Sequence, residues 1–406
     1  MKKRTSKVIA LLLALTMCIP LGVNAAAATP LSESQTVDNI ISAVTQFYYE
    51  KDVSGNRATN SIYTSDVATY LAGKIEAQQR VTALYNTSKE NYNVEATLID
   101  KTATASKNIS SYSFQVVTTY NYIGRDFETT SSEMVEILYD GNSQKIIDFY
   151  TPMNYYDEYV RPEQSTLNRS NDSSQSAFRL TTETSNKQKN ILSEIDSTYE
   201  YMNLESHFDQ ATPEAVRGVT LNSTAIVNWA RSNFNKDQPA SGNGSVTYYD
   251  FSEISGNYDC TNFVSHAVLA GGANINDTGN SGISATGWYY RNLSNRSSSW
   301  SGVSHFYNYM TTNTTYNTAA GQSFQYTLNG AYWGQGDVMQ FRFNGSSTYS
   351  HSTIITIKER SSDGARCYAY VTGRTSDTQY NNNKAASDMA PVGTQRTIGV
   401  YNRYQQ

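Results

Sequence analysis

Cysteine is scarce in this 406-residue chain: Cys18, Cys260 and Cys367 are the full set. Cys260 stands in the run Tyr258-Asp-Cys-Thr-Asn-Phe-Val-Ser-His-Ala-Val-Leu-Ala-Gly-Gly272, where Phe263, Val264, Ala267 and Val268 recur at helical spacing and Gly271 ends the pattern as a C-cap would. The spacing predicts a short buried helix with Asp259 as its N-cap, the carboxylate accepting from N–H groups of the first turn. Cys260 then occupies a helix N-terminus, where unsatisfied N–H groups and the macrodipole favour the thiolate, the form that attacks a carbonyl carbon. The competing role is a small side chain packing the first helical turn.

A thiol nucleophile needs a base within hydrogen-bond reach, and the chain holds four histidines. His207 precedes the elements around the cysteine. His266 shares the cysteine's helix but lies six residues on, about 240° around it. His305 falls in an irregular, Gly/Ser/Asn-rich segment with no strand to fix it. His351 remains, at the head of His-Ser-Thr-Ile-Ile-Thr-Ile, a strand pattern that gives a side chain rigid support. Its plain alternative is a strand-edge histidine bonded to backbone. No cluster of His, Cys and carboxylates has metal-ligand spacing, and no cofactor is implied.

The run DCTNFVS, with Asn222, Ala225 and Trp229-Ala230 before it and Trp288-Tyr289-Tyr290, Ser299-Trp300, Gly336-Asp337-Val338 and Ser350-His351-Ser352 after it, resembles the putative amidase domain family. That family is papain-like and related to NlpC-type and CHAP-type cell-wall peptidases, and the resemblance covers roughly residues 215–405. It implies a helix packed on an antiparallel sheet, a Cys260 nucleophile, a His351 base, and a peptide or peptidoglycan substrate. Where the family has Gly-His-Thr-x-Asp, this chain has Gly373-Arg374-Thr375-Ser376-Asp377. Arginine has no acceptor, so Asp377 is the nearest acidic candidate to orient the imidazole, with a backbone carbonyl or Asp337 as alternatives. The backbone N–H of Cys260 would be one oxyanion donor. Trp288, Tyr289, Tyr290, Trp300 and Trp333 are candidates either for a cleft receiving sugar or peptide faces or for core.

Lys2, Lys3, Arg4 and Lys7 precede the apolar run Val8 to Val23, and Val23-Asn24-Ala25 fits a signal-peptidase site. The expectation is a secreted or wall-associated protein with a signal peptide over residues 1–25 and no membrane span once it is removed. A net charge of −5 without a basic stripe gives no footing for nucleic acid. A Cys260–Cys367 disulfide is permitted outside the cell, but Cys367 alternates with Ala369 and Val371 as a packing residue, leaving one reactive thiol.

Val37, Ile40, Ile41, Val44, Phe47 and Tyr48 share a helical face, a second helix is expected over 65–85, and from Tyr92 the period changes from 3.6 to 2. Residues 30–160 therefore read as an N-terminal α+β domain, helices followed by an antiparallel meander, similar in element order to the cystatin-like or nuclear-transport-factor-like cone. Residues 161–204 read as a polar linker with a helix near 187–201, and 205–406 as the amidase-like α+β domain. The two halves are expected to fold separately. Three functions are in play: cysteine-dependent hydrolysis of an amide, acyl transfer through the same thioester, and non-catalytic wall or surface binding on a retained fold.

Overall fold

The computed structural model describes residues 31–54, 61–106, 108–164, 177–203, 219–244, 246–254, 257–330, 332–343 and 348–403. The expected signal peptide, His207, most of the Ser/Asn/Thr-rich stretch after Glu163, and the expected Asn344-Gly345 turn lie outside these residues.

Helix α1 (Glu33–Tyr49) starts in a capping box: Ser32 Oγ accepts from Gln35 N–H, and the Gln35 side chain accepts from Ser32 N–H. It runs on into a π-turn, Glu50–Ser54. α2 (Ser65–Tyr85) stops at Asn86, whose φ of 54° is the left-handed C-cap conformation. The meander follows as β1 (Lys89–Ala103), β2 (Ile109–Tyr122), β3 (Glu128–Asp140) and β4 (Lys145–Tyr150). On β2 residues of even number are buried from Tyr112 to Tyr122, as the period-two pattern requires. Short α3 (Tyr155–Val160) and long α4 (Thr182–Asn203) close this half.

The second half runs β5 (Val219–Thr220), α5 (Ser223–Asn233), α6 (Cys260–Ala270), β6 (Ile283–Ser284), β7 (Tyr290–Asn292), β8 (Asn295–Ser297), α7 (Ser298–Ser301), α8 (Val303–Thr312) and β9 (Thr318–Gln325). It ends with β10 (Val338–Phe343), β11 (His351–Arg360), β12 (Cys367–Arg374), β13 (Tyr380–Ala385), α9 (Ala386–Met389) and β14 (Gly393–Arg403). The fold is α+β, as the sequence suggests.

The halves are not separate. One antiparallel sheet of eleven strands runs through both in the order β1-β2-β3-β13-β12-β11-β10-β14-β5, with β4 on β3 and β9 on β14. The seam is β3 against β13, pairing Ser132 with Tyr380, Ser131 with Asn381 and Thr130 with Asn382. Side chains fasten it further: Ser132 Oγ donates to Thr378 O at 2.6 Å and Thr129 Oγ1 to Asn383 O at 3.0 Å.

In the second half this sheet is covered on both faces, so its strands bury alternate residues in different cores. Met339, Phe341, Ile355 and Val371 join Ile40, Phe47, Tyr70 and Phe149 of the first half in one cluster. Val338, Ile354 and Ile398 point the other way, into a cluster with Phe263, Val264 and Val268 of α6. Two expectations change accordingly. The helix expected near 187–201 is there as α4, but it is not part of a free linker: its Ile191, Ile195 and Met202 are buried in the shared core, each such side chain stabilising by about 1.5–3 kcal/mol. The independently folding halves are replaced by one sheet and a common core.

Candidate active site

Helix α6 is buried on all sides, from Cys260 to Leu269. α5 flanks it, the sheet lies beneath it, and the aromatic segment around Trp288 and Trp300 covers it. Each polar residue of its opening turns has a structural bond. Thr261 Oγ1 and Ser352 Oγ are 3.2 Å apart, which ties the helix to β11. Asn262 Nδ2 donates to Tyr249 O and to Asp259 Oδ1, both at 2.9 Å, while its Oδ1 accepts from Trp300 Nε1 at 2.7 Å. Ser265 Oγ donates to Trp300 O at 2.8 Å and accepts from Trp288 Nε1 at 3.1 Å. Asp, Thr, Asn and Ser of DCTNFVS are spent on holding the helix in place, and the Cys260 thiol lies 3.8 Å from Thr261 Oγ1.

Asp259 is the N-cap by position, but its carboxylate does not cap the first turn. It accepts from Phe251 N–H at 3.1 Å, from the Tyr248 hydroxyl, and from Arg374 Nε at 3.2 Å. Arg374 is fully buried and also donates to the Asp250 carboxylate and, at 2.7 Å, to Lys236 O. Burial and the neighbouring Asp250 carboxylate push Asp259 up to about 7. Arg374 is thus a clamp that ties Lys236, Asp250 and Asp259, the residue before α6, to the end of β12. No sequence signal reveals this, because the partners are 115 and 124 positions away.

Asp259 N–H also donates to Thr375 O at 2.9 Å. Cys260 Sγ then meets the main-chain N–H of Ser352, which partly offsets burial; burial still dominates and pushes the thiol up, the reverse of the expected helix-terminus effect. Ser352 follows His351, and His351 heads β11, as predicted. The His351 ring is 3% exposed and stacks on Phe341 with centroids 6.2 Å apart. Its Nδ1 is buried with no hydrogen-bond partner, and burial holds the imidazole down to about 4. No hydrogen bond joins Cys260 to His351, whose ring packs on Phe341 of the shared core, and burial favours the neutral form of both groups.

Asp377 does not orient this ring. It stands exposed in the turn between β12 and β13, with no ion pair to His351 among the described residues. Asp337, the alternative, is spent on Gly334 N–H at 2.7 Å, and burial raises it to about 7. His266 is packed among Trp229, Tyr248 and Trp300, its Nδ1 accepting from Gly242 N–H at 3.2 Å. Trp288, Tyr289, Tyr290, Trp300 and Trp333 are all buried and are core, not cleft. Cys260 and Cys367 are both free and buried.

A cleft of about 490 Å³, open mouth included, lies where the halves meet. His351 and Thr375 line it and Cys260 does not: Thr375 O holds Asp259 N–H, and Ser352, next to His351, meets the thiol through its N–H. Its other walls come from β3 and the 152–154 loop of the first half and from the segment 379–389 of the second. Among the described residues no group of three or more His, Cys, Asp or Glu is arranged to hold a metal ion.

Residues 220–398 match the family model described as "Putative amidase domain". That description points to amide-bond hydrolysis. The match holds the helix of Cys260 and the strand of His351 and stops short of the first half, which supplies part of the cleft wall. No curated protein and no solved structure matches the chain. No helix of the described residues is long and apolar enough to cross a membrane.

Proposed function

We propose that the chain is an exported cysteine amidase that cleaves a peptide or cell-wall amide through a thioester on Cys260. The observation that carries this reading is the junction of α6 with β11: the thiol touches Ser352 N–H beside His351, whose buried Nδ1 has no partner. As Cys260 Sγ bonds to the substrate carbonyl carbon, the thiol proton passes to the His351 imidazole and the carbonyl electrons move onto oxygen. The N–H groups at the start of α6, that of Cys260 included, favour this oxyanion. Collapse breaks the C–N bond, and the amine leaves with the proton from the imidazolium. Water, deprotonated by the same imidazole, then cleaves the thioester and restores the thiol.

Because burial keeps both groups neutral at rest, proton transfer accompanies attack instead of preceding it. A readout is hydrolysis of an N-acetyl-dipeptide p-nitroanilide by the wild type, Cys260→Ser and His351→Ala. Loss of the base should cost about 10²–10⁴ in rate, and turnover that survives Cys260→Ser removes the proposal. One observation favours a non-catalytic, wall-binding role: the absence of a Cys260–His351 hydrogen bond. Apo geometry of this kind often tightens only with substrate, and the same assay decides. Acyl transfer would differ only in an amine taking the thioester in place of water.

A further inference from the structure

The cleft beside His351 is lined by residues that the thiol chemistry does not use, and several belong to the half outside the amidase match. We infer that it is a carboxylate-recognition subsite built by both halves, in which Lys384 receives the carboxylate of a short peptide and so presents a neighbouring amide to Cys260 and His351. This rests on the amidase reading for the fate of the amide, but not for the binding.

Lys384 reaches into the seam from β13. Its Nζ donates to Glu133 Oε1 and to Ser131 Oγ, each at 3.1 Å, and an ammonium has three hydrogens. The Lys384 and Glu133 side chains keep 14% and 17% of their exposure, and both line the cleft. Glu133 is occupied: Oε2 accepts from Tyr48 Oη at 2.7 Å and lies 3.9 Å from Lys51 Nζ. It positions Lys384 and has little left for a ligand cation. Along the cleft the ammonium of Lys384 stands against the carboxylate of Glu133, with Lys51 and Asp52, 3.8 Å apart, behind the wall; the acceptors of Glu133 are taken up by Lys384, Tyr48 and Lys51, whereas Lys384 keeps one hydrogen for a ligand. An anion is the ligand that such a corner favours. One lysine with a single remaining hydrogen suits a carboxylate, since the fork of an arginine is the usual answer to bidentate or phosphate recognition.

The rim supports a built site. Met153 has a φ of 61°, a conformation that side chains other than glycine seldom adopt, and its N–H is held by Glu158 Oε1 at 3.1 Å. It lines the cleft with Tyr380 and Met389, which offer apolar surface to the body of a peptide.

The carboxylate could be a C-terminus or an acidic side chain, and the probes separate these. Calorimetric titration of full-length Cys260→Ser protein, which cannot turn over, uses three peptides: N-acetyl-alanyl-alanine, its C-terminal amide, and N-acetyl-glutamyl-alanine amide. A free carboxylate should gain about tenfold or more in affinity over the amide, as expected of a charge-assisted bond. Preference for the first probe assigns a C-terminus, and preference for the third an acidic side chain. Lys384→Met should erase the preference, and Lys384→Arg should restore part of it. The comparison of acid and amide needs no change at Lys384, so a misfolded Lys384→Met leaves the test intact. Equal binding of all three, or no binding at millimolar concentration, overturns the inference. Carboxylate-dependent binding without Cys260-dependent turnover retires the amidase reading and keeps the subsite; turnover indifferent to the carboxylate does the opposite.

Discussion

Arg374 Nε donates to Asp259 Oδ2 across 3.2 Å in the fully buried interior, 115 residues apart in the chain and one residue before Cys260. Removing one member of a buried, hydrogen-bonded ion pair leaves an uncompensated charge and costs about 3–5 kcal/mol. Arg374→Met strands two carboxylates, Asp250 and Asp259, and should lose that much in urea denaturation, with the start of α6 loosened. A loss below about 1 kcal/mol would mean that the clamp is not what sets the position of Cys260.

His266 gives a pH dependence of known sign. Burial holds it down to about 3 in the folded protein, against ~6.5 unfolded. Between these values the unfolded chain binds the extra proton, so the contribution is present above ~6.5 and is lost as the pH falls towards 3. Glutamine can accept from Gly242 N–H but does not titrate. On acidification from pH 7.5 to 4.5, His266→Gln should therefore lose about 2–3 kcal/mol less than the wild type. His351, Asp259 and Asp337 titrate in both proteins and cancel in the difference. Parallel stability curves would show that the His266 ring is solvated.

The elements that position the chemistry were legible where apolar spacing is strong. The helix from Cys260, the strand from His351, α1 and α2 all follow from their periodicity. What stayed hidden depends on contacts between distant segments. β13, Tyr-Asn-Asn-Asn-Lys-Ala, carries no apolar alternation that would announce a strand, because two of its inward residues are Asn381 and Asn383. Their amides are used inside: Asn381 Nδ2 donates to Val371 O at 2.8 Å, and Asn383 Oδ1 accepts from Thr356 Oγ1 at 2.9 Å. Missing that strand concealed the seam, and with it the cleft. The thiol's electrostatics are hidden from the sequence for a related reason: a helix N-terminus favours the thiolate, but packing on every side of α6 outweighs it.

The shared sheet makes the halves interdependent. Residues 205–406 expressed alone would expose the β13 edge and the apolar face of Met339, Phe341, Ile355 and Val371, an aggregation-prone combination. That fragment should be molten or aggregated, and the whole chain should unfold in one calorimetric transition. A soluble fragment with a sharp transition of its own would contradict this.

Alkylation by iodoacetamide reports the resting state of the thiol. Its rate at Cys260 should rise with an inflection above the ~8.5 of a free thiol, because burial raises the group. His351→Ala should leave that inflection in place, since the imidazole is neutral at rest. An inflection below 7 that vanishes in His351→Ala would instead reveal a preformed thiolate–imidazolium pair.

The central claim is that Cys260 carries the acyl group, and trapping it is the most direct measurement. The full chain is mixed with an N-acetyl-dipeptide p-nitrophenyl ester, quenched in acid within seconds, and analysed by intact mass and peptide mapping. The account predicts one acyl group, on Cys260, formed more slowly in His351→Ala and absent from Cys260→Ser, with Cys367 unmodified. Acylation at another residue, or an equal yield in Cys260→Ser, would contradict it.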